Sequence, residues 1–187
     1  MMKKRLTRLR EKLNNRNGFT MVELMCAMMV MALLGMVVSV GISTAVRVQR
    51  ESTFIAHSDV LTATLNTSMS DVLRYSTVNT QKTEERDDGH IYFSNQEYLI
   101  SDGYIFVDEN GHVGVHMNDT DDTVRYFISK GAYTGLEVQP EGSAEEGGFS
   151  LTYDKDTRLF RGTYTVREKA FSDPLTKETE FAFRCIA

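Results

Sequence analysis

LMCAMMVMALLGMVVSVGISTAV, residues Leu24–Val46, runs without a single charge. As a helix rising 1.5 Å per residue it would extend about 35 Å, enough to cross the hydrocarbon core of a bilayer. A secretory signal has a shorter apolar region, about 7–15 residues, ending at a small-x-small site. Ser39-Val40-Gly41 meets that last requirement, so removal of the segment stands as a competing reading. Before the run, residues 1 to 18 hold seven Lys and Arg against the single acid Glu11, a net of +6; just after it come only Arg47 and Arg50. That asymmetry predicts a cytoplasmic N-terminus with the remainder outside. The whole chain carries −5, so the part after residue 18 carries −11, and only the basic part suits an anionic membrane surface.

Outward from the run, the first segment places Met2, Leu6, Leu9 and Leu13 on one stripe of a short helix, which Asn14-Asn15-Arg16-Asn17-Gly18 ends. On the other side, residues 47 to 75 contain no Pro or Gly, and Phe54, Leu61, Leu65, Val72 and Leu73 recur at helical spacing among polar residues. The helix is expected to run on from the apolar segment, now amphipathic. After Ser76 the period becomes two, as in Val124, Tyr126 and Ile128; Phe149, Leu151 and Tyr153; Phe160, Tyr164 and Val166; and Phe181, Phe183 and Cys185. Each group predicts a strand with one buried face. Asp108-Glu109-Asn110-Gly111 and Asp154-Lys155-Asp156-Thr157 are short enough for hairpins, hence an antiparallel sheet, with the stripe on residues 54 to 73 as its cover. The fold class is α+β.

Thr20-Met21-Val22-Glu23 fits a helix capping box, in which a hydroxyl and a carboxylate satisfy each other's orphan amides. The box does not account for the ordered set around it: basic leader, Gly18, Phe19, Glu23, then a run of bilayer length. Gly18-Phe19-Thr20-Met21-Val22-Glu23-Leu24 resembles the processing site of type IV pilins and of the pseudopilins of secretion and DNA-uptake machines. The resemblance implies a structural subunit that a membrane-bound prepilin peptidase cleaves after Gly18 and methylates on the new N-terminus of Phe19. It implies partners as well: other pilin subunits, the membrane and a pilus assembly platform. In that family the carboxylate at the position of Glu23 pairs with the N-terminal amine of a neighbouring subunit. An intrachain pair between Phe19 and Glu23, four apart, is the competing arrangement.

The organisation expected is a leader over 1–18, a membrane half of the helix over 19–46, its amphipathic half over 47–75 and an external β-rich domain over 76–187. Gly35, Ser39 and Ser43, each four apart, form a small-residue ridge where another helix can approach closely. Some pilins bend the helix at a proline and close the last loop with a disulfide. Here the prolines are Pro140 and Pro174, so bending would fall to Gly35 or Gly41, and Cys26 and Cys185 are placed too far apart for a bridge. His112 and His116 on a strand are about 13 Å apart, beyond what one zinc ion spans. Asp119, Asp121 and Asp122 lack the ligand spacing of an EF-hand, and read as a solvated loop, like Glu84–Asp88 and Glu141–Glu146. No nucleophile elbow or phosphate loop occurs, which argues against an enzyme and leaves no cofactor implied. Lys155, Arg158, Arg161, Arg167 and Lys169 gather around one predicted hairpin, with Arg161 and Arg167 on the face opposite Phe160 and Tyr164. They are candidates for DNA contact if the chain serves an uptake machine. A different class of function also fits: a single-pass anchor displaying an external binding domain, never cleaved.

Overall fold

A computed structural model describes residues 20–86, 88–118, 123–140 and 148–186. The chain divides into two units at Gln49/Arg50. The long helix α1 (Met21–Arg74) passes through that boundary, and Gly35 and Gly41 do not interrupt it. In the first unit every described residue is exposed, from Thr20 to Gln49. The helix is long and apolar enough to cross a membrane, and none of its apolar window is covered by protein.

In the second unit α1 buries Phe54, Ser58, Leu61, Leu65, Met69, Val72 and Leu73. These positions, three and four apart, form one stripe of the helix. Ser58 is fully buried in it because its hydroxyl donates to Ile55 O at 3.0 Å, leaving no unpaired polar atom. Beyond α1 come β1 (Thr77–Val78), the short helix α2 (Thr80–Glu85), β2 (Phe93–Asn95), β3 (Ile100–Val107), β4 (Val113–His116) and β5 (Val124–Tyr126). The five strands pair in chain order as an antiparallel meander. After a 3₁₀ turn at Lys130–Tyr133 come β6 (Leu136–Val138), β7 (Ser150–Asp154), β8 (Leu159–Glu168) and β9 (Thr176–Arg184). Here β8 is central, with β9 along one edge and β7 then β6 along the other. The sequence predicts one sheet; the structure has two, both antiparallel.

The two sheets and the α1 stripe share one core, to which Phe93, Ile105, Val113 and Val115 come from the first sheet and Phe160, Tyr164, Val166 and Phe181 from the second. Gly111 (φ +77°) closes the β3–β4 turn, and its carbonyl accepts from Val138 N–H at 2.9 Å, tying β6 to the other sheet. A side chain there would be strained by the left-handed backbone and would meet Val138 N at 2.9 Å. Tyr164 reaches across the core, its hydroxyl donating to Asn66 Oδ1 at 3.0 Å on α1, and burial pushes its phenol up to about 12.

The period-two groups need three corrections. Ile128, Phe149 and Cys185 are buried in the core but lie just outside β5, β7 and β9. Val124 and Tyr126 are half-buried on the face of the first sheet away from Ile105 and Val115, in register with His116 and Gly114. Alternation identifies two faces and does not say which one meets the helix. That outer face is also more apolar than a solvated sheet face: Tyr104 stacks between His90 (4.4 Å) and His116 (4.6 Å), and Phe106 packs on His116 at 4.5 Å.

The C-terminal end of α1 is closed by residues from far along the chain. Arg74 O accepts from Ile186 N–H at 2.7 Å, and Val72 O accepts from Ser76 Oγ at 2.6 Å and from Asn95 Nδ2 at 2.8 Å. Asn95 is 1% exposed, and its Oδ1 accepts from the amides of Glu97 and Tyr98. Asn95→Ala leaves a helix-end carbonyl and two amides short of partners inside the core, at about 2 kcal/mol. Urea titration in detergent micelles, followed by near-ultraviolet circular dichroism, is expected to show a lower midpoint and an unfolding free energy reduced by that amount.

Candidate functional site

The start of α1 is built as a closed loop of hydrogen bonds. Thr20 N–H and Thr20 Oγ1 both donate to Glu23 Oε2 at 3.0 Å, and Glu23 N–H donates back to Thr20 Oγ1 at 3.2 Å. Leu24 N–H to Thr20 O, 3.2 Å, then starts the helical ladder. The expected capping box is thus present, and the Glu23 carboxylate is turned back to the N-terminal end of the helix. Any cation placed before Thr20 approaches it from that side. Gly18 and Phe19 lie outside the described residues, as do Asp119, Asp121, Asp122 and the acidic stretch 141–146.

Farther along, Gly35, Ser39 and Ser43 are all exposed on one side of α1, and a Cβ added to Gly35 would meet nothing within 4 Å. Ser43 Oγ donates to Ser39 O and Thr44 Oγ1 to Val40 O, each at 3.0 Å. The hydroxyls of Ser43 and Thr44 are thus satisfied by their own helix, as residence in hydrocarbon demands.

The basic residues around the β7–β8 hairpin are less of a patch than their sequence spacing implies. Lys155 is paired with Glu84, Arg167 with Glu137, and Lys169 Nζ lies 4.0 Å from Glu137. Arg158 occupies the turn with a left-handed backbone (φ 52°). Arg161 is exposed on the outer face of β8, opposite Thr152 and Ala182. Arg161 and Arg167 do share that face, but six residues of strand separate them by about 20 Å.

One arrangement has no precursor in the sequence. Arg50, the first residue of the second unit, is held by the end of β8 and the loop that follows it: its Nε lies 3.2 Å from Glu168 Oε2, its Nη2 also pairs with that carboxylate, and its Nη2 donates to Asp173 O at 2.9 Å. The guanidinium carbon sits 3.7 Å from the centre of the Phe171 ring. The hydrogen bonds from Arg50 hold the Glu168 carboxyl below its ordinary value, against the opposing cost of burial. Arg50 and Glu168 are 118 residues apart, and no periodicity links them.

Residues 13–39 match the family model of the prokaryotic N-terminal methylation motif, the leader signature of type IV prepilins. No curated protein and no solved structure matches the chain significantly.

Proposed function

We propose that this chain, a type IV pilin-like precursor by its N-terminal motif, is processed after Gly18, methylated on Phe19 and assembled as a structural subunit into a pilus or pseudopilus. The observation that carries this reading is the continuity of the methylation motif with a helix whose apolar run is wholly uncovered. Before assembly α1 anchors the subunit in the membrane, N-terminus inside and the Arg50–Ala187 unit outside. A prepilin peptidase supplies the cleavage and the methyl group; other pilin subunits and an assembly platform are the later partners. DNA becomes a partner only in an uptake machine, through Arg158, Arg161 and Arg167.

The chemistry of the helix start supports a role for Glu23 beyond capping. A carboxylate near hydrocarbon costs roughly 2.5–3.5 kcal/mol without a counter-charge. Cleavage creates a cationic amine at Phe19, and the incoming subunit's Glu23 can take the amine of its neighbour. Gly35, Ser39 and Ser43 provide the close helix approach within such a filament. The exposed methionines Met25, Met28, Met29, Met31 and Met36 supply apolar side chains that adapt to lipid and then to protein.

Mass spectrometry of sheared surface filaments tests this directly. An N-methylated Phe19 terminus is the expected result, and Gly18→Arg is expected to leave an uncleaved precursor in the membrane, because the bulk at the scissile bond excludes the peptidase. A chain starting at Met1 or Met2 in wild-type cells identifies an anchored binding domain, and a start near Ile42 identifies a cleaved secretory signal.

A further inference from the structure

We propose that the free edge of β9 pairs antiparallel with β9 of a second copy of this chain, joining the two sheets about a two-fold axis at Phe181. The inference rests on the Arg50–Ala187 unit alone and does not depend on processing at Gly18. β9 has nine residues, contains no proline and pairs with β8 along its whole length without a bulge. The other outermost strands are shorter: β1 and β5 have two and three residues, β6 and β7 three and five. A long regular edge is a template for another strand unless it is shortened, bent or guarded by charge. In an antiparallel ladder, alternate residues turn both N–H and C=O to the same neighbour. Cys185 N–H donates to Arg158 O at 2.9 Å and Glu168 N–H to Leu175 O at 3.2 Å, so the odd-numbered residues of β9 face β8. Thr176, Glu178, Glu180, Ala182 and Arg184 turn theirs outward, and no bond to those groups occurs among the described residues.

The charges on this edge select the partner and the register. The side chains of the outward residues are all exposed, and neither Glu178 nor Arg184 has an ion pair among the described residues. Antiparallel pairing about Phe181 sets Glu178 opposite Arg184 of the second copy and Glu180 opposite its Ala182, with that same arginine diagonal to Glu180. Symmetry repeats each contact. Opposite charges across such a pair stabilise it and like charges destabilise it. Shifting the axis to Glu180 sets that residue against itself, and shifting it one further sets Glu178 against Glu180. An axis at Ala182 still opposes Glu180 to Arg184, but it sets Glu178 against Ile186, whose amide is already taken by Arg74 O, and so has one pair fewer. The same bond ends the ladder about Phe181 just beyond Arg184. A strand of unrelated sequence would have to match two acids and a base at these spacings, whereas a second copy does so by symmetry.

Sedimentation equilibrium of the full-length protein in density-matched detergent reads the association. The expected result is a wild-type dimer, weakened at least about tenfold by Glu178→Arg or by Arg184→Glu and restored when both are made together, because each single change opposes like charges and the exchange re-pairs them. Ala182→Pro removes an outward amide and leaves the bonds to β8 intact, so it is expected to give a monomer with unchanged near-ultraviolet dichroism. If that variant loses the native dichroism, the charge exchange alone decides. A wild-type monomer overturns the proposal. So does a dimer indifferent to both charge reversals, which is held elsewhere on the chain, and so do losses that the exchange does not restore. A response to Arg184→Glu without one to Glu178→Arg overturns the register about Phe181.

Discussion

Replacing Leu65 with alanine is expected to destabilise the Arg50–Ala187 unit by about 2–5 kcal/mol, the largest loss of stability from any single truncation on α1. Leu65 is fully buried in the middle of the helix stripe, with Leu61 and Met69 one turn away on either side and both sheets contributing to the cluster around it. Truncation there removes transfer energy and leaves a cavity that two sheets braced by β8 and by the Gly111–Val138 bond cannot readily close. Val60→Ala is the matched control, because Val60 lies on the same helix but is 68% exposed. Its change is expected to stay within about 0.5 kcal/mol. With eight tyrosines and no tryptophan, tyrosine near-ultraviolet dichroism in detergent follows this unit through a urea titration, since the first unit's described helix contains no tyrosine. Equal midpoints for the two variants would show that the stripe does not hold the helix to the sheets.

That stripe is legible in the sequence because a helix repeats its face every three or four residues, so Phe54, Leu61, Leu65, Val72 and Leu73 announce a buried side without any knowledge of what covers it. Ser58 and Met69 complete the stripe, but a serine there reads as polar until its bond to Ile55 O is known. The β8 and β9 faces are equally plain, since Phe160, Tyr164, Val166, Phe181 and Phe183 keep strict alternation on long paired strands. The first sheet is not, because its outer face carries Tyr104, Phe106, His116 and Tyr126 and so blurs the contrast on which alternation depends. Only the Tyr104-Ile105-Phe106 run, apolar on both faces, hints at a strand covered from two sides. Long-range polar contacts leave no trace at all: Glu137 beside Arg167, Asn95 at the helix end and Glu168 on Arg50 each come from remote positions. At the helix start every bond of the box lies within four residues, so Thr20 and Glu23 could be paired from spacing alone.

Glu23→Ala is expected to cut filament yield sharply while leaving the precursor inserted, cleaved and methylated. The substitution removes a charge that is costly near hydrocarbon, so it should favour residence in the membrane. In the proposed assembly, what it takes away is a partner for the new amine on a neighbour's Phe19. Each 1.4 kcal/mol of lost pairing is a factor of ten in association, so a pair desolvated by the surrounding helices is expected to lower sheared-filament yield by roughly tenfold or more. Capping is the rival explanation, since Glu23 Oε2 also serves Thr20, and losing a cap costs about 0.5–2 kcal/mol. Two further variants separate them. Glu23→Gln keeps a side chain able to complete the box but carries no charge, whereas Thr20→Ala removes the hydroxyl and keeps the carboxylate. If charge pairing drives assembly, Gln fails with Ala and Thr20→Ala still forms filaments. The reverse pattern, filaments from Glu23→Gln and none from Thr20→Ala, would reduce Glu23 to a helix cap. Mass spectra of the membrane fraction, showing the same processed Phe19 terminus for every variant, ensure that assembly and not cleavage is being read.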